Sequence, residues 1–369
     1  MTEQDLGVYA TQRIQQALKV SAEAARLFNL VRHNYTLLIP ILNYHYRSLD
    51  TPSSTPRMLD TIYIVRHGFR SNWVVSNDGT YNATIKSPTG IPSDPPLTSY
   101  GVDQARQLGV HLASLDIKPQ QIYSSPYYRC LQTSAPIATE LGLGIEGVEG
   151  GIAEWFGTAP FDHPLPATAE LLKTFFPNLN ADYTPIIIPA VRGETMAQVH
   201  NRAAYALTRL VEYVDKTHPE VRAIVLVSHA ATVIAAGRAL VGDPDMDVGA
   251  GTCSCSVYKR NDPNSSPVWI DVDGKEVQGT GTVDLNKGPV PVLPWRGKGI
   301  LGGWTRERNG DCSFLSGGEE RNWWFGGDEA WDFPIAKGTG VEKTLGTETS
   351  GSRGPGGDEI AGKGESAKI

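Results

Sequence analysis

Two short runs of β-prone residues, each ending in a histidine, constrain this chain more than any other feature. The first is Thr61-Ile-Tyr-Ile-Val-Arg-His-Gly68. The second is Ala223-Ile-Val-Leu-Val-Ser-His-Ala230. Ile62 to Val65 and Ala223 to Val227 read as strands buried in a parallel sheet. Open α/β sheets collect their ligands at the carboxyl edge of such strands. Core packing gives no reason for two strands to deliver a histidine to one edge, so the pair points to a site.

Strand and helix signals alternate from residue 58 to residue 260, which predicts a mostly parallel sheet with crossover helices. Helical spacing marks 99–115, 127–141 (with Pro136 as a kink or early break), 195–216 and 232–241, and further strands are expected at 121–125 and 253–259. Val199, Ala203, Ala206, Leu210 and Tyr213 form the apolar stripe of the third helix. Residues 1–57 read as a separate helical extension with a Ser/Thr/Pro-rich linker. Met58 is a candidate start, and a docked N-terminal helix is the alternative. Residues 261–336 read as a β-hairpin extension, with turns at Asp273-Gly274 and Asn309-Gly310. Six of the eight tryptophans fall there, too many for a floppy linker. Residues 337–369, dominated by Gly, Ser, Thr and charge, are expected to be a disordered tail.

A formal net charge of -7 leaves no general nucleic-acid footprint. No apolar run reaches membrane-spanning length, and Pro40 breaks the nearest candidate. The four cysteines lack a zinc or redox spacing, which fits a reducing compartment, nucleus or cytoplasm.

Phosphoryl transfer needs an in-line nucleophile, positive charge on the equatorial oxygens and a proton for the leaving oxygen. Neutral His67 can attack phosphorus, its other ring nitrogen held by an acceptor such as a backbone carbonyl. Arg66 and Arg129 offer planar forks for phosphate oxygens, and His229 can donate as an imidazolium. Glu154 sits in the apolar run Gly151-Ile-Ala-Glu-Trp-Phe156. Burial there is expected to raise its pKa and make it a general acid, then a base for water. No metal or cofactor is required. The Pro- and Phe-rich stretch 156–184 is expected to roof the pocket and set substrate choice.

With these residues in this order, the chain resembles the histidine phosphatase superfamily, a phosphoglycerate mutase-like three-layer α/β/α sandwich, over about residues 60 to 260. Asp94-Pro-Pro-Leu-Thr98-x-x-Gly101-x-x-Gln104-Ala105 is similar to a signature of that family, a loop into a helix capped by Thr98 or Ser99. Gly193-Glu194-Thr195 is similar to another. The resemblance implies that His67 is phosphorylated, that Arg66, Arg129 and His229 hold the phosphate, and that Glu154 is the proton donor. Arg70 resembles the protein-tyrosine-phosphatase branch and implies a further fork. It argues for a phosphatase, acting on a small molecule or phosphopeptide, over a phosphosugar mutase. The run Asn309 to Phe325 resembles the phosphatase-like tau subunits of fungal TFIIIC, an RNA polymerase III factor. That implies TFIIIC subunits as partners, and the rival reading is a non-catalytic assembly subunit. The run's aromatic residues either bind a partner or pack across the catalytic domain.

Overall fold

The computed structural model describes residues 58–325, apart from 77, 271–272 and 277–280. The expectations for residues 1–57 and 337–369 lie outside the described residues. The chain runs through β1 (Thr61–Arg66), β2 (Trp73–Val75), β3 (Tyr81–Ala83), α1 (Ser99–Ser114), β4 (Gln121–Ser124), α2 (Tyr128–Leu141) and β5 (Gly147–Val148). It continues with α3 (Ala169–Phe175), β6 (Ile187–Ile188), α4 (Met196–Thr217), β7 (Ala223–Ser228), α5 (Ala230–Val241), β8 (Cys255–Arg260), β9 (Val283–Asp284) and β10 (Trp304–Asp311).

Six strands form one sheet in the order β10-β8-β1-β7-β4-β5. The four from β1 to β5 are parallel, whereas β8 runs antiparallel to β1 and β10 antiparallel to β8. The strand period of two separates the faces. Ile62 and Ile64 of β1, with Ile224 and Leu226 of β7, join the core under α4 and α5. Tyr63, Val65, Val225 and Val227 join the core under α1 and α2. The result is a three-layer α/β/α sandwich.

The helix ends reflect local chemistry. The Thr98 side chain accepts from the Gly101 amide and caps α1. Thr195 and Gln198 close a capping box on α4. Helix α2 continues through Pro136 to Leu141 without the early break. On α4 the stripe from Val199 to Leu210 is buried, but Tyr213 is 42% exposed and belongs to the outer surface.

The Asn309-Gly310 pair is not a hairpin turn. It lies inside β10, which pairs with β8 from Trp304 to Asp311 through two register shifts. The open edge of β8 supplied a partner, so the turn-prone pair is absorbed as a bulge. Gly310 has φ 54°, and a Cβ there would come within 2.6 Å of the Gly249 backbone. Asp273-Gly274 does turn the chain, inside an antiparallel bridge between Ile270 and Glu276. Trp269, Trp295 and Trp304 are buried in the core beside α4 and α5. The four cysteines are free and buried. No helix among the described residues is long and apolar enough to cross a membrane.

Candidate active site

Three parallel strand ends form the floor of the site. Arg66 is in register with Ser228, and Ser124 with Val227. The next residues, His67, Ser125 and His229, therefore emerge side by side. The His67 amide donates to the Ser228 carbonyl at 2.9 Å, and the two histidine rings meet edge to face with centroids 5.3 Å apart.

His67 Nδ1 lies 2.8 Å from the Gly68 carbonyl. A carbonyl can only accept, so the proton sits on Nδ1 and the Nε2 lone pair is left open. Burial, with the positive field of Arg129, His229, Arg66 and Arg70, pushes the His67 pKa well below 6.5. The ring is neutral across the physiological range.

Arg129 enters the site from the first turn of α2 and is fully buried. Its Nη1 donates to Asp94 Oδ1 at 2.9 Å and to the Ser93 carbonyl at 3.2 Å. Its Nη2 donates to Glu154 Oε2 at 2.7 Å and lies 3.1 Å from His229 Nδ1. His229 Nδ1 lies 3.2 Å from Glu154 Oε2 as well, and Nε2 lies 2.7 Å from Ser125 Oγ. Burial lowers the His229 pKa to about 4 against the upward pull of Glu154. His229 is thus neutral in the empty site, and the imidazolium expected from the sequence requires the negative charge of a bound phosphate.

Glu154 departs from expectation. Burial does push its pKa up, but His229, Arg129 and His67 outweigh that and hold the carboxyl well below 4.5. It rests as a carboxylate. Its loop is braced from behind: Arg202 Nη1 donates to the carbonyls of Gly150, Gly151 and Ala153, while Nε pairs with both Glu194 oxygens at 3.0 and 2.8 Å. Ser228 and Thr232 hydroxyls donate to the Ile152 and Ala153 carbonyls. The Gly-Glu-Thr motif therefore serves as the strut of the Glu154 loop.

Arg66 and Arg70 flank His67. Arg66 Nη1 donates to the carbonyls of Ala250 (2.7 Å) and Arg321. Arg70 Nη1 donates to the Ser71 carbonyl at 3.0 Å, and its guanidinium lies 5.6 Å from the Trp73 ring centre. The loop they share is clamped by α1. The Phe69 amide donates to Gln104 Oε1 (2.9 Å), and the Thr98 amide donates to the Phe69 carbonyl (2.9 Å). A Cβ at Gly101 would stand 2.0 Å from the Phe69 carbonyl oxygen, so only glycine permits this approach. All six residues singled out in the sequence, Arg66, His67, Arg70, Arg129, Glu154 and His229, thus converge at one sheet edge.

Sequence reasoning quoted Asp94 but gave it no role; it orders Arg129 and accepts from the Tyr128 amide at 2.6 Å. The signal was its place just before Pro-Pro-Leu-Thr. It also missed His163, which stacks on Phe156 at 4.8 Å and lies 2.5 Å from the Tyr81 hydroxyl. The stretch 156–184 divides in two. Phe156, Phe161 and His163 pack with Tyr81 of β3, whereas Phe175 and Phe176 pack on Tyr128 of α2. Among the described residues no group of three or more His, Cys, Asp or Glu side chains is gathered for a metal ion.

The sequence profile of the histidine phosphatase superfamily (branch 1) matches residues 62–267. The chain belongs to the histidine phosphatase superfamily. Over 278 residues it is 36% identical to the transcription factor tau 55 kDa subunit of Saccharomyces cerevisiae, covering 73% of this chain and 59% of that protein. The chain thus matches well under two thirds of this relative's length. It is 29% identical over 226 residues to the ecdysteroid-phosphate phosphatase of Drosophila melanogaster, covering 54% of this chain and 29% of the relative. Among solved structures it is similar to the ecdysone phosphate phosphatase of Bombix mori in complex with tungstate, with a TM-score of 0.42 and 20% identity over 61% of this chain and 94% of that one. The profile ends before β10, so the superfamily segment lacks one strand of the sheet seen here.

Proposed function

We propose that the chain is a metal-independent phosphomonoester hydrolase working through a phosphohistidine on His67. One observation carries this reading. The Gly68 carbonyl fixes the His67 proton on Nδ1, and the open Nε2 stands among Arg66, Arg70, Arg129 and His229. Nε2 attacks phosphorus in line, the P–O ester bond breaks, and the phosphoryl group passes to the ring. The guanidinium forks and the His229 ring bind the equatorial oxygens. Glu154 gives its proton to the leaving oxygen, then removes one from the water that cleaves the phosphohistidine. Quenching a turnover mixture in alkali should leave phosphate on the peptide containing His67, and quenching in acid should remove it. A quench that leaves no phosphate on that peptide, with turnover intact, would refute the covalent route.

The pH dependence is set by the resting charges. Glu154 is ionised in the empty site, so the proton it donates arrives with the substrate. A phosphate monoester loses its second proton near pH 6, roughly. We expect kcat/KM to be level from about pH 5 to 6 and to fall about tenfold per unit above that. Burial and the surrounding positive groups hold the His67 pKa well below 6.5, so its titration is not the source of the fall above pH 6. A kcat/KM that climbs between pH 6 and 8 would rule out this proton source.

A second reading concerns assembly. The likeness to the yeast tau 55 kDa subunit supports a place in TFIIIC, and with it a nuclear location. A tagged full-length chain should recover TFIIIC subunits from fungal extract. Recovery of none at physiological salt would set this role aside and leave the hydrolase reading untouched.

A further inference from the structure

We propose that Arg321, fifty-odd residues beyond the superfamily segment, is a positioning residue that pre-orders the phosphate loop 66–72. The inference rests on the phosphate-site reading and adds a residue to it. Arg321 touches the Arg66 fork and the stretch that carries Arg70. Its backbone carbonyl accepts from Arg66 Nη1, which also donates to the Ala250 carbonyl. Its guanidinium lies over the Phe69 ring, 3.5 Å from the centre, and Nη1 approaches the Arg70 carbonyl at 3.4 Å and Asn72 Oδ1 at 3.5 Å. One residue thus holds the Arg66 guanidinium through its carbonyl and the Phe69 ring, Arg70 carbonyl and Asn72 side chain through its guanidinium.

The neighbours of Arg321 show that this placement is built. The Thr252 amide donates to the Glu320 carbonyl at 3.0 Å, and the Ala250 amide donates to Asn322 Oδ1 at 2.8 Å. Gln104, which also holds the Phe69 amide, donates to Glu320 Oε2 at 3.2 Å. Further on, Trp323 and Phe325 pack on Trp155, the residue after Glu154, at 6.3 and 5.4 Å. Arg321 itself has φ 50°, a left-handed backbone unusual for a side chain of its size. A residue held there by bonds on both sides turns its carbonyl onto Arg66 and its side chain onto Phe69. A guanidinium ordered before phosphate arrives loses no further entropy on binding. The site of this chain is therefore completed by residues that the superfamily segment does not contain.

The test is the affinity of the full chain for inorganic phosphate, measured by calorimetry beside thermal melting, in wild type, Arg321→Ala and Arg321→Gly. Glycine suits the left-handed backbone and retains the carbonyl while removing the side chain. Both variants should bind phosphate roughly tenfold more weakly, with melting near wild type. Glycine should melt no lower than alanine. Wild-type affinity in either variant that folds overturns the proposal, as does a lowered melting point with unchanged affinity. If wild type binds phosphate but forms no phosphohistidine, the hydrolase reading fails while the positioning role is still decided by the variants. If wild type binds no phosphate, the site reading fails and this inference with it.

Discussion

His67→Ala should reduce turnover of every phosphomonoester by about 10⁴-fold or more, the scale on which loss of a covalent nucleophile falls. Without Nε2 the remaining groups can bind phosphate and draw off charge, but water must then attack directly. The arrangement offers that water no base in line, because Glu154 lies on the leaving-group side in the proposed chemistry. The variant should fold. The His67 side chain bonds to the carbonyl of its own neighbour Gly68, and the loop amides donate to the Ser228 carbonyl and to the Gln104 and Thr133 side chains. Phosphate affinity should persist because the guanidinium forks are untouched. Steady-state rates on an aryl phosphate and on a phosphotyrosine peptide, with melting and phosphate titration as controls, decide the matter. A folded variant within tenfold of wild type would remove His67 from the role of nucleophile.

The strand ends were legible because local pattern and chemistry coincide there. Ile62 to Val65 can only be a buried strand, so Arg66 and His67 after it must stand at the sheet edge. The second histidine strand is 162 positions away in register, Thr61 opposite Ala223, yet the same argument located it independently. The illegible features depended on partners brought together by the fold. Glu154 looked apolar by its neighbours in sequence, but Arg129 and His229 lie 25 and 75 positions away and decide its charge. Asn309-Gly310 is a strong local turn signal, overridden by the free edge of β8 and the close backbone of Gly249. The aromatic run ending at Phe325 was open between partner binding and packing. Trp323 and Phe325 pack on the catalytic domain, against Trp155 and His200, while Trp324 between them is 59% exposed. Packing thus accounts for two of these neighbours and leaves the third facing outward.

Asp94→Asn should destabilise the fold by about 3–5 kcal/mol, the cost of removing one partner from a buried ion pair. Asp94 and Arg129 are both fully buried, and their contact is 2.9 Å. Both carboxylate oxygens already accept: Oδ2 from the Tyr128 amide at 2.6 Å, and Oδ1 from Arg129 Nη1. Asparagine keeps the shape but brings one NH₂, which must face one of those two donors. Whichever way it turns, either the first amide of α2 or the guanidinium loses its acceptor. The negative charge at the helix N-terminus disappears as well. Arg129 would then lean on Glu154, its remaining carboxylate, and be less available to phosphate, so affinity for phosphate should fall with stability. Urea denaturation gives the first quantity: the midpoint should drop with the slope unchanged. If Asp94→Asn matches wild type in both midpoint and phosphate affinity, Arg129 is ordered by something other than Asp94.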